Sequence, residues 1–342
     1  MALYRSNSAV YAIIKESTFN TGGTFLTANV VEVTSDTSMK PEGDSIERKA
    51  VKNSFVSQPK MAGKIFGSGS CGVELIPLGG ASKDLNGSAL LEVALGVVEA
   101  PGLASGAFIG FSDAGTTPAK QIFEAGAAQT GTATLYKLAK PCGGQPSLAI
   151  KQFLGCDTGD SQTITYTGVV PSSVKFDFPV ADVASITFDV GAAGYSTAAG
   201  ETILSGTSLT ENPYVGKNAT FTIGGTDYEA KDLSFTIENT VVDREAITSA
   251  GITAKAITKK MIKGSLSIVF SDYSELNKFK NNTDAAVYLE MTSGTHKFAI
   301  WFPRTRYTAV SIENADGILE NKIEFEAYED AVLGEAVYVA HM

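Results

Sequence analysis

The chain has 342 residues, a formal net charge of −10, and 44% apolar against 19% charged residues. This is too apolar for a disordered tail and too acidic for a protein that grips nucleic acid through clustered Lys and Arg. With 34 glycines among frequent Val-Thr-Ile-Phe runs, it reads as a turn-rich, mainly β protein long enough for about two domains.

Residues 1–22 read as an N-terminal arm, with a short apolar piece (Val10, Tyr11, Ile13, Ile14) ahead of the turn-prone Asn20-Thr21-Gly22-Gly23. MALYRSNSAVYAIIKEST lacks the apolar core of a signal peptide, and no window reaches membrane-spanning length. The expectation is a chain made and folded in the cytoplasm. A strand is expected over Ala28 to Thr34, alternating Val31 and Val33 with Glu32 and Thr34. A long polar loop, 35–61, follows, with Lys40, Arg48, Lys49, Lys52 and Lys60 beside Glu42, Asp44 and Glu47. The return strand is Lys64 to Ile76. Ser88 then offers a cap for a helix carrying Leu90, Leu91, Ala94 and Leu95.

The Gly/Ala-rich stretch 98–131 reads as an insertion. Further strands are expected over 136–140, 147–153 and within 166–190, and 196–224 reads as a linker with one hairpin-like element. Leu233, Phe235 and Ile237 then alternate with Ser234, Thr236 and Glu238. A polar excursion over 239–259 leads to a return strand, in which Ile262, Gly264, Leu266, Ile268 and Phe270 alternate with Lys263, Ser265 and Ser267. A short helix is expected next, capped by Asp272 with Glu275 three residues on, striped by Tyr273, Leu276 and Phe279, and stopped by Asn281-Asn282. The order of the first half thus recurs in the second: strand, long loop, Gly-Ser return strand, helix, then VYLEM and HKFAIWF matching YKLAK and SLAIKQF. Shared order points to an internal duplication. The C-terminal AVLGEAVYVAHM is apolar enough to dock on its own module or on a neighbour.

Chemistry-bearing motifs are sparse. Gly67-Ser68-Gly69-Ser70-Cys71-Gly72 fits a dinucleotide fingerprint in letters only, because its glycines lie in a strand with no helix following. The two histidines, His296 and His341, form no metal or catalytic spacing, and Asp157 and Asp160 read as a solvated turn. Three cysteines make no disulfide framework. Cys142 and Cys156 bracket an apparent hairpin, and reduced thiols are expected in preference to a bridge between them. Trp301 with Arg304 and Arg306 permits a stacking platform, but a core or interface strand is the preferred reading. No catalytic residue, metal or cofactor is expected.

The Gly-Ser-Leu-Ser return strand, the ALLEVALG helix, the DSIERKAVKNSF loop, SSVKFDFPVADVASITFDVGAAGYS and FPRTRYTAVSIEN leading to KIEFEAYE together resemble the major tail tube proteins of long-tailed (siphovirus-like) bacteriophages. The resemblance runs from about Ala28 to Tyr328. It implies a mainly β fold of sandwich or barrel modules with short helices, set as a tandem pair: arm 1–22, first module 23–195, linker 196–224, second module 225–329 and tail 330–342. It further implies a structural, non-enzymatic virion protein, a homo-oligomer assembled in the host cytoplasm. Its partners would be itself (rings of three chains with pseudo-sixfold symmetry, or of six), a tape measure protein, a tail tip and a tail terminator. DNA would pass only in transit at ejection, and no membrane would be involved. On that reading Glu32, Thr34, Ser68, Ser70, Glu74, Thr236, Glu238, Ser265 and Ser267 line a channel, with Lys263 the one cation on the same alternation. The loops 35–61 and 239–259 stack rings through Arg48, Lys49, Lys52, Asp243 and Arg244. The rival readings are a tail-tip or host-surface, carbohydrate-binding β module centred on Trp301, and a hydrolase or lyase on a β scaffold.

Overall fold

A computed structural model of the chain describes residues 9–47, 60–78, 85–99, 110–112, 118–121, 134–138, 146–155, 161–206, 209–246, 251–315, 317–331 and 335–341. The first half opens with strands β1 (Val10–Lys15), β2 (Val30–Val31), β3 (Ser38–Ile46) and β4 (Met61–Glu74), followed by helix α1 (Ser88–Leu95). Short strands β5 (Gly96–Glu99), β6 (Gly110–Ser112), β7 (Pro118–Gln121) and β8 (Thr134–Leu138) come next. Then follow β9 (Leu148–Leu154), the long β10 (Gln162–Pro179), β11 (Ser185–Ala192) and β12 (Gly194–Ala199). The second half holds β13 (Thr220–Ile223), β14 (Thr226–Asp227), β15 (Ala230–Glu245), β16 (Ile252–Val269) and helix α2 (Ser274–Lys280). It ends with β17 (Ala285–Ser293), β18 (His296–Ala315), β19 (Ile318–Ala327) and β20 (Tyr338–His341).

The protein is therefore mainly β with short helices, and every ladder among the described residues is antiparallel. The principal sheet runs β3-β4-β11-β10-β15-β16-β19-β18, and β10 against β15 is the joint between the halves. The far ends of β10 and β18 leave this sheet. Residues 162–169 of β10 lie between β9 and β12, and residues 296–302 of β18 lie between β17 and β20. Among the described residues, the pairings branch but never return to their start, so the sheet of a single chain is open.

The two halves share more than strand order. β3, β4, β11, β10, β9 and β1 neighbour one another as β15, β16, β19, β18, β17 and β13 do. A bulge interrupts β10 against β11 between Pro171 and Ser173, and another interrupts β18 against β19 between Tyr307 and Ala309. A second pair of irregularities falls where each long strand meets its predecessor, at Tyr166/Val169 and at Ala285/Val287. Bulges mark fixed places in a ladder, so they align the halves without appeal to side chains.

Several sequence expectations shift. Of the strand expected at 28–34 only Val30–Val31 pairs, and the first strand of the hairpin is β3, inside the expected loop. SMKPEGDSI buries only Met39 and carries Pro41 and Gly43, as an edge strand wetted on both sides does, so no alternation shows. The expected loop 239–259 is likewise a two-stranded ribbon in which β15 runs to Glu245 and β16 begins at Ile252. Ser88 opens α1 rather than capping it, whereas Asp272 does accept the Ser274 amide at 2.7 Å. β1 lies within the expected arm yet pairs with β9, and β20 docks on β18 and β8 of its own chain. The hairpin-like element of the expected linker is present as β13–β14, turned by Gly224-Gly225 at positive φ. Most of the expected insertion, and Cys142, Cys156, Asp157 and Asp160, lie outside the described residues; Cys71 is a free, buried thiol.

One face of the principal sheet is the core. Val73, Ile186, Phe176, Phe235, Gly264, Phe325 and Tyr307 form one row across seven strands. Phe176 stacks on Phe235 with centroids 4.4 Å apart, and Phe302 meets both Phe235 and Phe325 edge-on. Each fully buried Phe stabilises the fold by roughly 1.5–3 kcal/mol. α1 closes this side with Leu90, Leu91, Val93, Ala94 and Leu95 all buried.

Candidate functional site

Because side chains alternate along a strand, residues one step from the core row emerge together on the opposite face. The next row reads Glu74, Ser185, Asp177, Ser234, Ser265, Glu324 and Ala309. On the other side of the core row lie Gly72, Thr187, Lys175, Thr236, Lys263, Glu326 and Arg306, and beyond them Ser70, Asp189, Ser173 and Glu238. A single hydroxyl- and carboxylate-rich surface thus crosses both halves and the joint between them. It holds an open groove of about 430 Å³ edged by Ser234, Thr236, Lys263, Ser265, Glu324 and Glu326.

Of the residues expected on one lining, Ser68, Ser70, Glu74, Thr236, Glu238 and Ser265 share this face. Ser267 has the same parity but is 3% exposed, roofed by Glu320, which accepts its hydroxyl at 2.9 Å and is itself held by Lys231. Thr34 is not on a strand. It crosses above Gly72, whose carbonyl accepts its amide at 2.8 Å, and its Oγ1 fills the space a side chain at Gly72 would need. Glu32 leaves the sheet altogether; its carboxylate takes the Leu209 amide at 3.2 Å and its own amide donates to Asn86. Asp243 and Arg244 lie exposed near the end of the β15–β16 ribbon, where Lys255 holds Asp243 at 2.8 Å. Arg48, Lys49 and Lys52 lie outside the described residues.

Sequence reasoning missed the contributions of β10, β11 and β19. SSVKFDF, SITFDV and KIEFEA each alternate visibly, and that signal was available. The structure also corrects the expectation of a single cation, since Lys175, Lys322 and Arg306 join Lys263 on the face and Lys40 does so on β3. Three of these four lysines sit beside an acid: Lys175 on Asp177 at 2.8 Å, Lys322 on Glu313 at 2.8 Å, and Lys263 near Glu238 at 3.7 Å. The Glu313 carboxylate raises the Lys322 pKa. Arg304 and Arg306 both converge on Asp284, at 2.6 and 2.8 Å, which holds its carboxyl below the usual range against the opposing effect of desolvation. Glu74, Asp189 and Glu324 carry no cation partner among the described residues, so acid is in excess. Such a face attracts water and repels phosphate.

Trp301 is 3% exposed and stacks on Tyr338 at 5.5 Å between centroids, which makes it a core strand residue and not a platform for a sugar or base. His296 stacks on His341 at 5.9 Å. Among the described residues no group of three or more His, Cys, Asp or Glu side chains is placed to hold a metal ion. Nor, among these residues, is any helix long and apolar enough to cross a membrane. A family model described as phage tail tube protein matches residues 6–327. No curated protein matches the chain.

Proposed function

The chain belongs to the phage tail tube protein family and is a structural protein of the virion tail, and from that premise we propose that its copies close into rings whose stacked sheets enclose a water-filled channel for DNA. The observation that carries this reading is the uninterrupted polar face, which crosses the β10–β15 joint with no break in register while the opposite face is sealed as core. A surface of short hydroxyls, acids and mostly neutralised lysines gives a polyanion no long arm to bind and no net attraction. DNA passes it without being held.

The matching ladders and bulges support a tandem pair of tail-tube modules, and two modules per chain favour a ring of three chains with pseudo-sixfold symmetry over one of six. The segments that follow β3 and β15 in sequence, with Arg48, Lys49 and Lys52 in the first and Asp243 and Arg244 just ahead of the second, would meet the ring above or below. Such a tube would enclose a tape measure protein during assembly and end against a tail tip and a terminator. Negative-stain microscopy of the purified protein tests the reading. Stacked rings with a stain-filled axial hole are expected, and isolated particles at every concentration and salt tried would overturn it.

A further inference from the structure

The open sheet ends in two unpaired flanks. Among the described residues β3 is laddered only to β4, and residues 306–315 of β18 are laddered only to β19. These two edges are the counterparts of the pair that already meet inside the chain. β18 stands in the second half where β10 stands in the first, and β3 stands where β15 does. The bulges set the numbering: Pro171 equates with Tyr307 beside one bulge, and Met39 equates with Phe235, each facing the glycine of its return strand, Gly69 or Gly264.

The internal joint then serves as a template. In it Phe176 faces Phe235, Lys175 faces Thr236, and Asp177 faces Ser234. Carried to the free edges, the same register puts Ile312 opposite Met39, Ser311 opposite Lys40, and Glu313 opposite Ser38. Parity is kept throughout. Ile312, 38% exposed in the single chain, meets the core residue Met39, and Lys40 lands diagonally beside Glu313 on the polar face. Pro41, opposite Val310, leaves that ladder at most one donor short.

The helices carry an independent sign of the same contact. The β15–β16 ribbon crosses the C-terminal end of α1, where Lys260 donates to the Leu95 carbonyl at 2.7 Å and Asn239 to the Ala94 carbonyl at 3.5 Å. Among the described residues nothing covers α2 in this way: Tyr273 at its start is 61% exposed and Phe279 in its last turn 39%. The β3–β4 hairpin in turn projects Ile46, Met61 and Ile65, each about half exposed. Ile65 occupies the ladder place that Lys260 fills in the second hairpin.

Resting on the ring reading above, we propose that β3 of one copy adds antiparallel to β18 of the next, with Met39 opposite Ile312 and Lys40 opposite Ser311, while the β3–β4 hairpin covers α2 of that neighbour. The partner is a second copy of this chain, joined head to tail. Facing residues of an antiparallel pair lie within disulfide reach. The test is therefore the double variant Lys40→Cys/Ser311→Cys, oxidised after assembly and run without reductant. Covalent species that build from dimer to a closed oligomer are expected. The single variants, which retain Cys71, Cys142 and Cys156, should stay monomeric, as should Lys40→Cys/Ile318→Cys, whose positions lie seven residues out of register. Tubes that assemble but fail to link through Lys40→Cys/Ser311→Cys, or that link equally in the shifted pair, overturn this register and leave the ring reading standing. A wild-type protein that forms no rings overturns both. Ile312→Asp, an exposed substitution that spares the fold, should give folded monomer with ring formation lost. Normal tubes from that variant would also overturn the proposal.

Discussion

Gly264 shows how much a single position can decide. A Cβ there would lie 2.3 Å from Cζ of Phe325, so the core row closes only because this strand residue has no side chain. Gly264→Ala should destabilise the protein by about 1–3 kcal/mol in chemical denaturation, the cost of overpacking, without altering the polar face. Glu16 is a buried counterpart on the polar side of the ledger: it accepts amides of Asn20, Gly22 and Gly168 together with the Ser147 hydroxyl. Removing that acceptor in Glu16→Ala should cost on the order of 3 kcal/mol by leaving donors unpaired, measured by the same unfolding curves. Lys260 gives a pH signature. Burial pushes its ammonium down to about 8, with Glu335 opposing the shift. Between about pH 8 and the ordinary lysine value near 10.4, the native state releases a proton that the unfolded chain keeps, so this site's contribution to stability rises with pH. The unfolding free energy of wild type minus that of Lys260→Met should therefore climb by on the order of 3 kcal/mol across that window, whatever fixed loss comes from the bonds Lys260 donates to the Ala94 and Leu95 carbonyls. A flat difference would refute it. None of these roles was legible beforehand: Gly264 looked like one more alternating residue, Glu16 like part of an arm, and Lys260 fell between the expected loop and its return strand, because each depends on a partner far away in sequence.

At the scale of elements, alternation revealed the strands that have one wet and one dry side and hid those with two wet sides. Leu233-Ser234-Phe235-Thr236-Ile237 was legible because the core takes every second residue. The outer part of the same strand, Thr240 to Glu245, is almost entirely exposed, and there the period disappears although the ladder continues. β3 was lost for the same reason. The helices were legible from their apolar stripes, but Glu275 was read as the acid of a capping box when it is 1% exposed and takes the Tyr228 hydroxyl at 2.7 Å and the Lys278 ammonium at 2.8 Å. If the hairpin ends stack rings, replacing residues 48–59 by a short Gly-Ser turn should leave folded protein that forms rings without long tubes. Tubes of normal length under the microscope would remove that role from the segment.

For the whole molecule, the candidate face was half legible, since β4, β15 and β16 were assigned to it while β11 and β10 between them, and β19 beyond them, were not. The missing strands change its chemistry from a nearly cation-free surface to one where lysines are present but mostly matched by acids. The excess of unmatched acid then governs how a polyanion behaves inside the proposed tube. Asp177→Lys combined with Glu324→Lys and Glu326→Lys should leave ring formation intact, because these side chains lie off the β3 and β18 edges, yet make the tubes retain short duplex DNA on a gel. Wild-type tubes should not retain it, and an unchanged variant would show that the face does not set the passage. The β10–β15 joint carries one more consequence. A head-to-tail contact closes only when its rotation divides a full circle, and if copies join as proposed, that rotation is already built once within each polypeptide at the β10–β15 joint. The bend between the halves would then be a ruler carried by every subunit, and the circumference of the proposed bore would be set during folding, before any two molecules meet.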